Sequence, residues 1–592
     1  MASILLTLGL LPLPTKAQND ASAYQGEIGK SLNDSKEWWA PVVKPSAGSP
    51  NVVLILLDVV GFGGSSTFGG VIRIPTLVSL ANNGLRYTNF HTCAICASTR
   101  SALLTGRNSH FVHEGGFSHI VMSASFPDYY GKIPSKDGTL AEILRDNGYN
   151  TFAVGKYGLT LDEDATDAGP FDRWPGGKGF EHFFDFLGSQ TDQYKPDLME
   201  DNAHVTPDGR HLNEQITDKA ISYIARQQKV TPGKPFFLYY SPGAVHAPHQ
   251  VDKYWSDQYK GNFDEGWDVF REKVLGNQKK LAIVPASAQL PPRNARMQEW
   301  SKLSQEQKKL FTRFMKTYAG YLTYTDYQIG RVINYLRENN LQENTIVYAI
   351  TGDNVASKEG TLEGFITPRK NPARAKTQAD FLKANLEQID SIGIPNGSAN
   401  YPLGWAQVTK TPFREWKQDA DAEGGTRNPL IVFYPKGIKE KGGIRNQYGH
   451  VIDITPATLE FLKIKYPDYI QGVKQDMVQG TSLVYSFDNA KATSRHIVQH
   501  YYIFGSRSIY YNGWKAEAAH HPDNVDFDFK RGETVIDKSF DDDVCELYNL
   551  NEDFNERNNL AAKNPEKLAE LKKIFHVQAE QNHLYPLLAG MM

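Results

Sequence analysis

Mostly apolar runs of five or six residues recur along this chain, and each gives way to polar or glycine residues. They cover residues 52–57, 150–154, 235–240, 345–350 and 429–434. Runs without polar alternation are typical of parallel strands that are buried on both faces. We therefore predict a sheet whose strands are covered on both sides.

Amphipathic segments lie between these runs. Residues 140–147 end at Gly148, which suits a helix followed by a glycine cap, and longer helices are predicted near 214–227 and 312–339. Helices that alternate with buried strands are typical of α/β folds. The predicted fold class is α/β, with a large, mainly parallel or mixed sheet sandwiched by helices over residues 51–485.

The pattern changes towards the C-terminus. Short strand-like runs occur at residues 497–498 and 508–511, and a charged helix is predicted near 566–580. Short strands followed by a single helix indicate a different layer arrangement from the preceding region. We predict a small C-terminal α+β domain over residues 490–592.

The start of the chain differs from the rest in composition. Residues 1–17 contain a short apolar run that ends in small residues, as a signal peptide does, and a polar lead-in follows over residues 18–50. We therefore expect a periplasmic or secreted protein. No other run is long enough to span a membrane. The net charge of −3 gives no basic excess, so we expect no nucleic-acid partner.

Polar side chains follow four of the predicted strands. Asp58, Lys156, His246 and Asp353 each come shortly after an apolar run. Ligands in open α/β sheets bind beyond the carboxyl ends of the strands, so we predict that these side chains meet at one site. Structural roles remain possible, because aspartates favour turns and lysines are usually exposed. His249 is the alternative to His246 in the same His-Ala-Pro-His segment.

Cys96 begins the segment Cys-Ala-Ser-Thr-Arg, directly before the apolar run at residues 102–104. It would thus lie in the first turn of a helix, where free amides and the helix dipole attract anions, and Arg100 adds positive charge one turn on. Three other interpretations stay open at this point: a buried core cysteine, a redox pair with Cys93 and half of a zinc site.

Taken together and in order, several motifs resemble those of type I sulfatases, the arylsulfatase branch of the alkaline phosphatase superfamily. The resemblance extends over roughly residues 50–590. It is carried by residues 51–58, 73–107, 138–156, 235–249, 345–354, 411–417, 423–427, 450–460, 546–550 and 553–554. It implies an alkaline-phosphatase-like fold, and a sulfatase catalytic domain over residues 51–485.

The resemblance implies a specific chemistry for Cys96. In these sulfatases, a formylglycine-generating enzyme oxidises the cysteine of a Cys-x-Pro-x-Arg motif to formylglycine, and the hydrate of that aldehyde attacks the sulfur of a sulfate ester. Cys96 would be this cysteine, and Arg100 would support the hydrate. The substrate would be a small-molecule or glycan sulfate ester.

The resemblance also implies one calcium ion. Asp58, Asp353 and Asn354 would bind it together with the modified Cys96. These side chains offer the oxygen ligands that Ca²⁺ prefers, and a bound metal makes a hydroxyl group more nucleophilic.

The remaining implied residues act on the sulfate group and the leaving group. Lys156 and Lys417 would bind sulfate oxygens, and His246 would lie beside the leaving group. Lysine and arginine stabilise the spread negative charge of a sulfate ester where water is excluded.

Four positions depart from the family pattern. Val59 replaces the second of two paired aspartates, Ser98 the proline of the cysteine motif, Gly158 the histidine of Gly-Lys-x-His, and Val355 the glycine after Asp-Asn. The missing carboxylate predicts weaker calcium binding, and Ser98 predicts poorer recognition by the maturation enzyme. The missing histidine removes a general base, a group worth roughly 10²–10⁴-fold in rate.

Three functions are compatible with this pattern. The first is an arylsulfatase-type sulfuric ester hydrolase, and the second is a relative that binds sulfated ligands without turnover. The third is a phosphate or phosphonate ester hydrolase, which Cys96 followed by Arg100 makes the least favoured. Loops at residues 160–210, 255–310 and 355–410 would set the substrate preference.

Overall fold

The computed structural model describes residues 24–39, 43–118, 126–366, 377–395, 397–520 and 539–588. The chain forms two compact units, Met1–Lys44 and Pro45–Met592. In the first unit, an antiparallel bridge joins Glu27 to Lys36. The predicted signal peptide over residues 1–17 lies outside the described residues.

A sheet of eleven strands forms the centre of the second unit. Its strands are β1 (Asn51–Leu57), β2 (Leu85–His91), β3 (Asn150–Gly155), β4 (His182–Asp185), β5 (Met199–Glu200), β6 (Ala203–His204), β7 (Phe236–Ser241), β8 (Thr345–Thr351), β9 (Arg427–Phe433), β10 (Gly443–Arg445) and β11 (Gly449–His450). The strand order is β10-β2-β9-β8-β1-β7-β3-β4-β5-β6, with β11 also paired to β2. Strands β8, β1, β7, β3 and β4 run parallel, whereas β9, β5 and β6 form antiparallel pairs. The predicted large mixed sheet is therefore confirmed.

Helices cover both faces of this sheet. The helices around this sheet are α1 (Pro75–Asn82), α2 (Cys96–Thr105), α3 (Leu140–Asp146), α4 (Leu212–Val230), α5 (Lys253–Asp257), α6 (Gly266–Lys280), α7 (Gln305–Glu338), α8 (Gln378–Glu387), α9 (Leu403–Thr409), α10 (Glu423–Thr426) and α11 (Ile454–Leu462). Helix α12 (Pro565–Gln581) packs instead against the smaller sheet described below. Along β1, Val53 and Ile55 lie in the core that contains side chains of α4 and α7. Val52 and Leu54 point the other way, into the core with α2, α3 and α11. Burial on both faces explains why the β1 sequence is apolar throughout.

A second, smaller sheet lies near the C-terminus. Strands β14 (Val498–Ile503), β15 (Ser506–Tyr511), β16 (Trp514–Ala519) and β17 (Glu546–Asn549) pair antiparallel in sequence order. A third apolar cluster joins this sheet and α12 to Ile95 and Cys96 at the start of α2. The predicted small α+β region is thus confirmed. Strands β12 (Tyr469–Ile470) and β13 (Val473–Lys474) form a separate hairpin.

None of the helices in the described part of the chain is both long and apolar enough to cross a membrane.

A carboxylate on α7 caps the N-terminus of α1. The Asp326 carboxylate accepts hydrogen bonds from the backbone amides of Thr76 (2.8 Å) and Leu77 (2.9 Å), and its side chain is buried. We expect Asp326→Ala to lower the free energy of unfolding by about 2 kcal/mol, because two buried amides lose their acceptor. Urea unfolding measures this loss. Asp326→Asn keeps one acceptor oxygen and should lose less, and equal midpoints for the alanine variant and the native chain would contradict the prediction.

Candidate active site

The carboxyl ends of four parallel strands, β8, β1, β7 and β3, lie side by side at one edge of the large sheet. Asp58 directly follows β1, Lys156 directly follows β3, Asp353 lies just beyond β8, and His246 lies in the loop after β7. The parallel order of the strands therefore places all four predicted side chains at the same edge.

Arg100 joins the residues of this edge to one another. Its guanidinium lies 2.9 Å from an oxygen of Asp353 and 3.5 Å from an oxygen of Asp58. It also donates to the carbonyl of Lys156 (2.7 Å) and the hydroxyl of Ser241 (2.6 Å). The arginine is fully buried, so these contacts replace all of its hydration. A buried guanidinium whose N–H groups have acceptors on several sides holds the surrounding strand ends in fixed positions.

Lys156 and Asp58 form a second buried ion pair, with 2.7 Å between Nζ and a carboxylate oxygen. Burial opposes ionisation of Asp58, but the positive charges of Lys156, Arg100 and Lys417 outweigh it and hold the pKa of Asp58 below its ordinary value. Asp58 is thus a carboxylate at every physiological pH. The site is a compact cluster of charges, shielded from water, in which each charge interacts strongly with its neighbours.

Cys96 is the first residue of α2, and no side chain caps this helix end. Burial disfavours the charged forms of Arg100, Lys156 and Lys417, yet neighbouring acidic groups raise the pKa of all three. Arg100 lies one turn beyond Cys96 and donates to the carbonyl of Lys156, and the amide of Gln418, next to Lys417, donates to the carbonyl of Ala94, two residues before Cys96. The helix N-terminus adds its own free amides at the same place.

Lys417 and His246 face each other across the site, with 3.2 Å between Nζ and Nε2. Nδ1 of His246 lies 2.8 Å from the carbonyl oxygen of Ala247, so Nδ1 carries the proton and Nε2 accepts from Lys417. Burial, followed by the charge of Lys417, lowers the pKa of His246 to about 4. The imidazole is therefore neutral at physiological pH, and the ammonium is the proton donor of the pair.

Glu359 lies close to both members of this pair, and the sequence did not predict it. Its Oε1 lies 2.9 Å from Nζ of Lys417, and its Oε2 lies 3.8 Å from Nε2 of His246. The side chain is 9% exposed. The sequence feature that could have indicated Glu359 is its position, six residues after Asp353 in the loop that follows β8.

Three buried oxygen atoms at this edge fit a hard divalent cation. One carboxylate oxygen of Asp58, one of Asp353 and the amide oxygen of Asn354 have no hydrogen-bond partner within the described residues, and all three side chains are fully buried. Burial, helped by the negative charge of Asp58, raises the pKa of Asp353 to about 7. Buried oxygens without a hydrogen-bond partner destabilise a fold, and so does a buried carboxyl group beside another carboxylate. A bound Ca²⁺ would accept these oxygens as ligands and offset the negative charge. No cluster of three or more His, Cys, Asp or Glu side chains suited to a metal occurs in the described ranges.

Two of the four departures from the family pattern flank these oxygens. Val59 has φ +56° and Val355 has φ +61°, and both are buried. Left-handed backbone is rare and strained for a β-branched residue. The chain therefore keeps, at both positions, a backbone conformation that suits aspartate, asparagine or glycine better than valine.

The other two departures touch Arg100 and its helix. Ser98 donates a 2.8 Å hydrogen bond to the carbonyl of Glu114, so its hydroxyl is used within the fold. Gly158 has φ +69°, and a Cβ there would lie 3.3 Å from Lys156 and 3.4 Å from Arg100. A side chain at 158 would thus reach the centre of the site, and glycine leaves that space free.

The structure also bears on the alternative residues. His249 is buried against the rings of Tyr318 and Tyr401, and His246, not His249, contacts Lys417. Cys93 and Cys96 are not joined by a disulfide, and Cys93 contacts Ser109 at 3.9 Å. Redox pairing and zinc binding therefore gain no support from the geometry.

Comparison with known proteins gives a consistent result. The sulfatase family model matches residues 50–464. The chain is 30% identical over 548 residues to an uncharacterized sulfatase of Schizosaccharomyces pombe, an alignment that covers 88% of this chain and 92% of the relative. It is 28% identical over 426 residues to an arylsulfatase of Klebsiella aerogenes, which covers 70% and 87% of the two chains.

A solved structure has the same fold. The structure of BT4656 in complex with its substrate D-glucosamine-2-N,6-O-disulfate matches with a TM-score of 0.57 at 20% identity, over 91% of this chain and 99% of the other. The resemblance noted in the sequence is thereby confirmed at the level of family and fold.

Proposed function

This chain belongs to the sulfatase family, and we propose that it is an arylsulfatase-type hydrolase of sulfate esters that uses a formylglycine made from Cys96. One observation carries the proposal: Arg100, one helical turn beyond Cys96 on α2, donates to the carbonyl of Lys156, and the amide of Gln418, next to Lys417, donates to the carbonyl of Ala94, two residues before Cys96. Three buried cations around one reactive position suit a sulfate group better than a neutral or positive ligand. The substrate is a small-molecule or glycan sulfate ester.

The bond changes define what each side chain has to do. One hydroxyl of the hydrate of the modified Cys96 loses its proton and attacks sulfur, an oxygen–sulfur bond forms, and the bond from sulfur to the alcohol oxygen breaks. The second hydroxyl then loses its proton as the carbon–oxygen bond to the sulfate breaks, which releases inorganic sulfate and restores the aldehyde. Lys156 and Lys417 hold the sulfate oxygens, and Arg100 keeps the first turn of α2 in place through Asp353 and Ser241. Fixed positive charges stabilise the transition state without reorganising as charge develops.

The departing alcohol oxygen needs a proton, and we assign its delivery to the Lys417–His246 pair. His246 is neutral because burial lowers its pKa to about 4, whereas Lys417 stays charged beside Glu359. Lys417 thus holds the proton, and the hydrogen bond to Nε2 of His246 aims it. Glu359 is a positioning residue in this assignment.

Asp58, Asp353 and Asn354 would hold a calcium ion, which supplies positive charge beside the sulfate. This assignment is supported by their three unpartnered buried oxygens. Because Val59 offers no carboxylate, we expect a weak site, and isothermal titration with Ca²⁺ measures its affinity.

The experiment that tests the proposal combines two measurements on one sample. The chain is made together with a formylglycine-generating enzyme, and mass spectrometry of the tryptic peptide Tyr87–Arg100 reports whether Cys96 is an aldehyde. Release of inorganic sulfate from 4-nitrophenyl sulfate is then followed with Ca²⁺ and with a chelator, and the matched phosphate ester serves as comparison. Aldehyde at Cys96 with repeated sulfate release supports the proposal, and aldehyde without any release from a panel of esters contradicts it.

A second function is favoured by Gly158 and Val59. Without a histidine at 158 or an acid at 59, the same cations would hold a sulfated ligand and the reaction would stop after one transfer or not start. Calorimetry that detects binding of a sulfate ester to fully modified protein, with at most one equivalent of product, would establish this binding function. Repeated turnover would exclude it.

We expect Glu359→Gln to lower kcat/KM for 4-nitrophenyl sulfate by about tenfold, because Lys417 loses the charged acceptor that fixes it beside His246. Steady-state kinetics measures the change. Glu343→Gln is the matched control, since Glu343 is exposed and precedes β8 at the opposite end of the strand. Unchanged kinetics in the Glu359 variant, or an equal loss in the control, would refute the positioning role.

A further inference from the structure

A wide groove lies outside the charge cluster described above, in the same unit of the chain. It is bounded by α5, by the first turns of α7 and by residues 389–394, and its volume is about 880 Å³. Cavities of this size hold ligands larger than a single sugar ring. Nothing in the reaction assigned to Cys96 uses the groove.

The groove is basic, although the whole chain is acidic. Six cationic side chains line it: Lys253, Lys260, Lys308, Lys309, Arg313 and Lys316. Three acidic side chains accompany them: Asp257, Asp264 and Asp390. The lining thus carries a formal charge of +3 on a chain whose net charge is −3. A concave surface of one sign concentrates oppositely charged ligands.

Three of these cations are available to a ligand. Asp257 is shared by Lys253 and Lys316, and Arg313 donates to the carbonyl of Ile392. By contrast, the ammonium groups of Lys260, Lys308 and Lys309 make no ion pair with any residue in the described ranges. They are the part of the lining that can bind anions without first breaking an internal contact.

A short segment connects the groove to the candidate active site. It begins at His246, which contacts Lys417, and ends at Val251, whose amide donates to the carbonyl of Gly393 in the groove wall (3.1 Å). Five residues of fully extended chain span at most about 18 Å. The groove wall therefore begins within this distance of His246, on the leaving-group side of the site.

We propose that this groove binds a second, anionic stretch of a sulfated glycan whose cleaved ester lies at Cys96. The inference rests on the proposed function for the identity of the ligand. The mixed lining favours a sulfated sugar over a nucleic acid, because Asp264 and Asp390 can accept hydrogen bonds from sugar hydroxyls but would repel closely spaced phosphates. Trp300 and Gln305, also in the lining, add an aromatic edge and an amide, which suit a carbohydrate.

The test measures binding, separately from catalysis. Fluorescence anisotropy follows labelled dextran sulfate and unsulfated dextran on the full chain carrying Cys96→Ala, so that no turnover occurs. We expect the combined variant Lys260→Gln, Lys308→Gln and Lys309→Gln to bind dextran sulfate about tenfold or more weakly, with a shallower salt dependence. Three exposed lysines elsewhere, changed to Lys439→Gln, Lys441→Gln and Lys491→Gln, give the same change in net charge and should leave binding intact.

The outcomes separate the two proposals. Equal loss in both triple variants, or no loss in the groove variant, would overturn the groove assignment, and so would equally tight, competing binding of a single-stranded DNA oligomer. In matured protein, the groove variant should keep the native rate on 4-nitrophenyl sulfate, which is too small to reach the groove. If the matured chain releases no sulfate while the groove variant still loses dextran sulfate binding, the proposed catalysis fails and the groove assignment stands.

Discussion

Sulfate release from 4-nitrophenyl sulfate is expected to fall by at least about 10³-fold when Cys96 is replaced by alanine, because the proposed reaction loses its nucleophile. The replacement is small, and Cys96 lies in the first turn of α2, where alanine is well tolerated. Its environment contains Arg100, Lys156 and Lys417, whose charges stay in place in the variant. A stable fold with no turnover is therefore the predicted phenotype, measured by kinetics alongside thermal unfolding.

Cys93→Ala is the matched control for this experiment. Cys93 lies three residues earlier and is partly buried, and its thiol lies 3.9 Å from the hydroxyl of Ser109. Burial raises its pKa to about 12, so the thiol stays neutral and unreactive at physiological pH. The control should keep its activity. If both variants keep full activity, chemistry at Cys96 is excluded, and if both lose it, the loss is structural.

The large sheet was predictable wherever burial on both faces forced an apolar run. The predicted strand at 52–57 is β1 (Asn51–Leu57), and the predicted helix at 312–339 is α7, which begins earlier, at Gln305. The earlier start follows from a capping box between Ser304 and Gln307, a local signal that apolar periodicity does not contain.

Strand β2 (Leu85–His91) escaped prediction because its buried positions include polar side chains. Arg86 is buried, yet its guanidinium donates to the carbonyls of Thr67 and Ala81, and the Thr88 hydroxyl donates to the carbonyl of Arg445. Ala81 is a near neighbour in sequence, but Thr67 lies 19 residues from Arg86 and Arg445 lies 357 residues from Thr88. A pattern of apolar residues cannot reveal a strand whose polar groups are satisfied only after folding.

The residues of the candidate site also divide into those that the sequence predicts and those that depend on the folded chain. Asp58, Lys156, His246 and Asp353 could be predicted because each follows a strand, and strand order then brings them together. Glu359 could not, since its approach to Lys417 depends on the path of the loop after β8.

The side chain of Arg100 joins residues that lie at the ends of different strands of the large sheet. We expect Arg100→Ala to lower the free energy of unfolding by about 3–5 kcal/mol. The variant leaves Asp353 and Asp58 buried with Lys156 as the nearest remaining cation, and breaking a buried ion pair costs this much because a charge is left uncompensated. The carbonyl of Lys156 and the hydroxyl of Ser241 also lose their donor. Urea unfolding measures the change, and a loss below about 1 kcal/mol would contradict the role assigned to this network.

A variant of a second buried arginine serves as the control that distinguishes an effect on stability from an effect on catalysis. Arg107 is also fully buried and pairs with Asp137 at 3.1 Å, away from the charge cluster at Cys96. Arg107→Ala should destabilise the fold to a similar degree while the folded fraction keeps its native kcat.

Arg100→Ala should lose sulfate release even in the folded fraction, because the cation beside Cys96 is gone and Asp353 has lost its counter-charge. Arg100→Lys, which restores one charge but not the fork that reaches both Asp353 and Ser241, should recover part of the stability and little of the activity. Full recovery of activity with lysine would mean that Arg100 contributes charge alone.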